Sequence, residues 1–434
     1  MKSTEFKRRR NQLMKMIGKD NIAIVSSSRE QTRNRDVDYP FRQDSDFLYL
    51  TGFNEPDAVL VLVPGRKHGE YILFCRENDP LQETWHGRRA GQQGAIETYA
   101  ADDSFPISDM DDILPGLLEG RQKVFQIMGR YPEFDQKLMG WVNQIKQQSR
   151  SGAHVPYEFV SLDHLLHDMR LYKSRAEIAL MKKAAKISVT AHKRAMQQCQ
   201  PGKFEYSIEA EYNYEFSLHN AQHAYPPIVG SGDNGCILHY TENTDQLKDG
   251  DLLLIDAGCE VQGYASDITR TFPVNGQYSP AQRDIYQIVL QAQSAAINKV
   301  KPGNHWNDPH NAAVRVITKG LLDLKILKGT LSKLIKEEAY KRFYMHRTGH
   351  WLGLDVHDVG DYKVGDQWRL LEPGMVLTVE PGIYIPANSK GVHRKWWDIG
   401  IRIEDDILVT KDGHEVLSAG LPSTIDEIEA LMAS

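Results

Sequence analysis

An α/β N-terminal domain followed by an α+β C-terminal domain is the fold this sequence predicts, and two observations predict it. Before residue 173, short apolar runs alternate with helical stretches; after it, helices and strands come in separate blocks, and the acids and histidines concentrate there. In the first part, residues 22–25, 58–63 and 71–74 have strand length and strand composition, while 113–118 and 134–145 carry helical spacing. The boundary is marked by Ser174-Arg175-Ala176-Glu177, a capping box with Ser174 as N-cap and Glu177 three positions on. It opens a helix that runs towards Cys199 and stops at Gln200-Pro201-Gly202, giving domains 1–173 and 174–434. A second helix follows, then strands over 251–273, a helix over 280–301, another near 312–324, and a strand-rich final third.

With 434 residues, 41% hydrophobic and 25% charged, the composition is that of a globular chain of two or three domains. The balance of 52 Lys+Arg against 58 Asp+Glu, net charge -6, leaves no basic block for a phosphate backbone, so nucleic acid is not an expected partner. Lys7-Arg8-Arg9-Arg10 is followed by a stretch broken by Gln12 and Lys15, not by the apolar run of a secretory signal. The longest apolar runs, 58–64 and 252–255, are too short to span a bilayer. Cys75, Cys199, Cys236 and Cys259 form no CxxC pair, which suits reduced thiols and a cytoplasmic protein. Gly230-Ser231-Gly232-Asp233-Asn234-Gly235 matches GxGxxG, but Pro226-Pro227 precede it and a strand-like stretch, 236–240, follows where a dinucleotide site needs a helix.

The chemistry gathers in three segments. Residues 251–258 read as a buried strand ending in Asp256, and 264–272 as its return partner carrying Asp267. A hairpin with Val261-Gln262 at its tip places Asp256 directly opposite Asp267, Cβ atoms roughly 5 Å apart, where two carboxylates need a proton or cation between them. In 400–405, alternation puts Arg402 and Glu404 on one face and the isoleucines on the other; in 375–382, an apolar strand ends in Glu380 before Pro381-Gly382. Asp405 and Asp406 read as a solvated edge, Trp396-Trp397 as a loop anchor, and His305, His310 and His393 as structural. Between the carboxylate strands, 346–358 is a glycine-punctuated stretch bearing His346, His350 and His357. Four carboxylates and one imidazole make an oxygen-rich set that suits Mn2+, with Co2+ or Zn2+ as substitutes, and balance two divalent cations in formal charge.

Taken in order, HYTEN (239–243), IDAGCE (255–260), SDITRTF (266–272), HWLGLDVHD (350–358), EPGMVLTVEPGIY (372–384) and GIRIEDD (400–406) resemble the proline-specific metallopeptidases, most of all the aminopeptidase P group. YPFRQDSDFLYLTGFNEPDAVLVL (39–62) extends the resemblance over nearly the whole chain. It implies a smaller N-terminal domain, a C-terminal pita-bread catalytic domain and two Mn2+ per chain. Asp267 and Glu404 would bridge the metals, Asp256 would complete one, and His350 with Glu380 the other. His239, His346 and His357 would line the substrate pocket, Arg402 would support the bridging carboxylates, His357 would stabilise the oxyanion, and Glu380 would shuttle the proton. The substrates implied are peptides beginning Xaa-Pro, and the assembly a homo-oligomer, tetramer or dimer, in which Trp85 and Asp36 reach a neighbour's cleft.

A prolidase, which shares the five ligands but takes only dipeptides, is the nearest alternative; a methionine aminopeptidase lacks this N-terminal part. A non-catalytic binding protein of the same fold would have neutral residues where all five ligands stand here. Two features depart from the family pattern. Close relatives read HGLSHWLG where this chain has His346-Arg347-Thr348-Gly349-His350, which sets a cation beside the metal histidine, and the loop 386–398 is unusually basic and aromatic at the expected cleft rim.

Overall fold

A computed structural model describes the whole chain, Met1–Ser434, and its contacts divide it into two compact units, Met1–Met169 and Arg170–Ser434. The second begins just ahead of the Ser174 capping box because Arg170 and Lys173 both pair with Asp358, at 2.6 and 2.9 Å.

The first unit is built on one mixed six-stranded sheet. In spatial order its strands are Asp103–Pro106, Tyr71–Cys75, Val59–Leu62, Ile22–Ser26, Lys123–Gln126 and Glu158–Ser161. The central strand Ile22–Ser26 runs antiparallel to Val59–Leu62 and parallel to Lys123–Gln126. The three central and adjacent apolar runs are buried along almost their entire length, as strands covered on both faces are. Helices Met110–Leu118 and Pro132–Gln147 supply Leu114, Leu118, Leu138 and Trp141 to the core on one side.

The second unit carries several short antiparallel sheets against long helices. Helix Arg175–Gln198 starts at the expected capping box: the Ser174 hydroxyl accepts from the Glu177 amide, and Glu177 accepts from the Ser174 amide at 2.7 Å. The other Glu177 oxygen accepts from the Tyr264 hydroxyl at 2.9 Å, tying this helix to the hairpin that carries the acids. Helices Glu205–Leu218, Pro280–Ile297 and Asn307–Asp323 contribute to the same core as the strands. One sheet orders Ile228–Ser231, Leu252–Asp256 and Thr269–Pro273; others pair Val376–Val379 with Asp405–Val409, and Gly382–Ile385 with Ile399–Arg402. Bridges Thr269↔Glu404 and Trp351↔Leu377 stitch these sheets to one another and to the histidine segment. Residues 236–240 are not a strand: a 3-10 turn, Gly232–Cys236, runs into bends and turns.

The hairpin register differs from the expected one. Asp256 lies opposite Thr269, Val261 pairs with Tyr264, and the tip is Gln262-Gly263. Both tip residues have positive φ, 52° and 83°, the two-residue turn whose twist matches that of its strands. Because the slip is an even number of residues, Asp256 and Asp267 keep one face and become diagonal rather than direct neighbours. Backbone also approaches backbone closely here: a Cβ on Gly258 would sit 1.8 Å from the Ser266 carbonyl oxygen, so only glycine fits.

Asp358 is almost fully buried, and replacing it with Ala leaves Lys173 buried without its anion and Arg170 with only the more exposed Asp355, at 2.8 Å. The expected loss is about 3–5 kcal/mol in urea unfolding. A loss below about 1 kcal/mol would show that the network does not hold the 350–358 segment.

Candidate metal centre

Asp256, Asp267, His350, Glu380 and Glu404 line one cleft of about 600 Å3, together with His239, His346, His357 and Arg402. Each arrives from a different device. Asp256 ends the strand Leu252–Asp256, and Asp267 follows the hairpin's outer rungs. Glu380 stands in the break between Val376–Val379 and Gly382–Ile385. Glu404 is fixed by its amide donating to the Thr269 carbonyl at 3.0 Å. His350 comes in on the glycine-punctuated stretch, where a Cβ on Gly349 would lie 2.0 Å from the Thr378 carbonyl oxygen. That approach lets the His350 amide donate to the Thr378 hydroxyl at 3.2 Å.

The ligand atoms of Asp267, His350 and Glu404 all lie within 4.8 Å of one another. His350 Nε2 is 3.3 Å from Asp267 Oδ2 and 3.8 Å from Glu380 Oε1. Its Nδ1 sits 2.9 Å from the Trp351 carbonyl, which orients the ring so that Nε2 faces the carboxylates. Arg402 Nη2 donates to Asp256 Oδ2 at 2.7 Å and Nη1 to the Tyr384 hydroxyl at 3.0 Å, and Tyr384 in turn contacts His346 Nε2 at 2.9 Å. The His350 and His357 rings are 4.1 Å apart.

Electrostatics explain why this cluster calls for cations. Burial pushes Glu380 up to about 7, against His350 and Arg402. Burial, reinforced by Asp267, Glu380 and Asp256, holds Glu404 well above the carboxylate range, and burial raises Asp256 too, despite Arg402. Burial also works against Asp267, but the His350 and Tyr225 hydrogen bonds outweigh it and lower its proton affinity. For His350, burial disfavours the charge, yet Asp267 and Glu380 lift the imidazole to about 9. Burial thus raises the proton affinity of Asp256, Glu380 and Glu404, and a divalent ion held among them would compete with those protons. The Tyr225 hydroxyl gives a second sign: it lies 2.6 Å from both Asp256 Oδ1 and Asp267 Oδ1 but has one hydrogen to donate. The oxygen-rich donor set fits hard divalent ions.

Several supporting residues escape a pattern-based reading. Tyr225 sits before a Pro-Pro pair that reads only as a turn. Arg270, fully buried, donates to the Glu404 carbonyl at 2.7 Å and to Asp405 Oδ1 at 2.9 Å. Asp405 and Asp406 are 5% and 1% exposed, so they are not a solvated edge. Asp405 also accepts from Gln293 and Ser418, and both Asp406 oxygens accept from the Asp267 amide at 3.2 Å. Trp396 is buried in the core and anchors its loop, and none of residues 386–398 lines the cleft, contrary to the rim position expected for them. Arg347 does line it. Trp85, 76% exposed on the helix Pro80–His86, and Asp36, exposed in a turn, belong to the other unit. The four cysteines are free, and no helix is long and apolar enough to cross a membrane.

Residues 179–411 match metallopeptidase family M24, and residues 6–125 match the aminopeptidase P N-terminal domain. Over 432 residues the chain is 46% identical to the Xaa-Pro aminopeptidase of Escherichia coli, covering 99% of this chain and 98% of that one. The solved structure of Pseudomonas aeruginosa aminopeptidase PepP is 58% identical, with TM-score 0.99 over 100% of this chain and 98% of that chain. Proline aminopeptidase P II from Yersinia pestis follows at 46% and TM-score 0.97, both chains covered completely. The N-terminal α/β domain and the C-terminal pita-bread domain expected from the sequence are therefore shared with these proteins. Fold, cleft and full-length likeness agree that the chain belongs to metallopeptidase family M24, in its aminopeptidase P branch, and is a metal-dependent peptide hydrolase.

Proposed function

We propose that this protein is an Xaa-Pro aminopeptidase, releasing the N-terminal residue from peptides whose second residue is proline. The observation that carries the proposal is the convergence of Asp256, Asp267, His350, Glu380 and Glu404, from five separate points of the chain, in one cleft. Asp256, Asp267, His350, Glu380 and Glu404 would hold two divalent ions, Mn2+ by preference with Co2+ or Zn2+ as substitutes, with Asp267 and Glu404 serving both, Asp256 one and His350 with Glu380 the other. When bound, the ions supply Lewis acidity and lower the pKa of water enough for hydrolysis at neutral pH.

The chain's own groups do the rest. Glu380, between His350 at 3.8 Å and His346 at 3.7 Å, takes the proton of the attacking water and delivers it to the leaving proline nitrogen. His357 is exposed to the cleft, and burial of its ring together with the His350 charge lowers its pKa, so it meets the carbonyl oxygen as a neutral donor. His239 and His346 line the substrate's path, and Arg402 holds Asp256 in place. A proline nitrogen inside a chain carries no hydrogen, so a pocket that does not rely on that N–H is what this bond requires. We place the enzyme in the cytoplasm, as its free thiols suit, and in a homo-oligomer, tetramer or dimer, where the exposed Trp85 and Asp36 limit a neighbour's cleft.

Excess chelator is expected to abolish cleavage and added Mn2+ to restore it; turnover that survives chelation would contradict the reading. Asp267→Ala or Glu404→Ala loses both ions by elemental analysis, whereas His357→Ala keeps them and lowers kcat about 10²–10³-fold. Loss of metal from His357→Ala would remove its proposed role. A tripeptide with proline second is cleaved at least as well as Gly-Pro, and hydrolysis of dipeptides alone would make the protein a prolidase.

The metal-free protein has a defined pH response. Glu380 ionises at about 7 in the fold rather than at 4.5, so the folded chain binds this proton more tightly than the unfolded one. The stability it contributes is complete below 4.5 and is lost as pH rises through about 7. The melting temperature of chelator-stripped protein should fall across that window more steeply than that of Glu380→Gln. Equal slopes would show that Glu380 is not the buried carboxyl described.

A further inference from the structure

The cleft is polar in two senses: its floor is acidic, and its rim carries an arginine. Arg347 lines the cleft, and its guanidinium lies over the Trp368 ring, 5.1 Å from the centroid. It donates to the Asn307 side chain, at the start of the helix Asn307–Asp323, and no carboxylate pairs with it. Lys363, on the same small hairpin as Trp368, places its ammonium 4.7 Å from that ring. Two cations thus share one aromatic ring, and Trp306 and Tyr362 continue the aromatic wall beside it. A guanidinium stacked on an indole and steadied by an amide has surrendered most of its conformational freedom, and it keeps donors for a planar anion.

An aminopeptidase cuts after the first residue, so everything beyond the proline must leave the metal floor and run towards the rim. We propose that Arg347, on its Trp368 platform, is a specificity-determining residue that recognises a carboxylate on the substrate beyond the proline, either the free C-terminus of a tripeptide or an acidic side chain at the third position. The inference rests on the Xaa-Pro aminopeptidase reading and extends it. Arg is suited to the task because its planar fork donates to both carboxylate oxygens at once.

The test is steady-state cleavage of four peptides by the metal-loaded enzyme: Ala-Pro-Ala, Ala-Pro-Ala-amide, Ala-Pro-Asp-Ala-amide and Ala-Pro-Asn-Ala-amide. The charged member of one pair is expected to exceed its neutral twin by about tenfold in kcat/KM, expressed in KM rather than kcat. The pair that shows it identifies the source of the carboxylate. In Arg347→Gln the charged-to-neutral ratio falls to near one, and Arg347→Lys restores part of it. Because the readout is a ratio within one variant, a general loss of folding or metal leaves it unmoved. Equal rates within both pairs in the unaltered enzyme, or a ratio that survives Arg347→Gln, would overturn the proposal while leaving the peptidase reading intact. Failure to cleave any of the four would overturn both.

Discussion

Four carboxylates cannot share a buried cleft as anions unless something positive sits among them, and the C-terminal unit is organised around that constraint. Asp256, Asp267, Glu380 and Glu404 bring far more negative charge than Arg402 and His350 return, and three of the four have their proton affinity raised by burial. The exception is Asp267, which gains from His350 and Tyr225. Burial therefore favours protons on this cluster, and divalent cations held there would compete with them.

Holding such a cluster needs a stiff frame, which the chain builds from backbone contacts and buried ion pairs. The Asp267 amide is caught by Asp406, Glu404 is bridged to Thr269, and Arg270 clamps the Glu404–Asp405 backbone from behind. Gly258 and Gly349 permit approaches that any side chain would block. Asp358, between Arg170 and Lys173, fixes the far end of the histidine segment. The candidate ligands are thus positioned largely by groups outside the cleft lining, while Arg347 and its aromatic neighbours line the cleft itself.

Much of this was legible in the sequence because period and punctuation carry it. The Ser174 capping box, the apolar strands of the first unit and the carboxylate ending of 376–380 follow from local rules, and the five candidate ligands that line one cleft follow from motif order. The hairpin register did not, because a tip of Gln262-Gly263 is a weaker turn signal than Asn-Gly, and only parity kept the two aspartates on one face. Asp405 and Asp406 misled because a pair of adjacent acids ordinarily faces water; their partners, Arg270 and the Asp267 amide, are distant in sequence. Tyr225 was invisible for the same reason, since its two carboxylate contacts exist only after the sheet closes.

The central claim is that cations displace protons from a buried carboxylate cluster. Isothermal titration of Mn2+ into chelator-stripped protein near neutral pH, in two buffers of different ionisation enthalpy, measures this directly. The account predicts two bound ions per chain and net release of protons on binding. Absence of binding, or binding with no proton exchange, would contradict it.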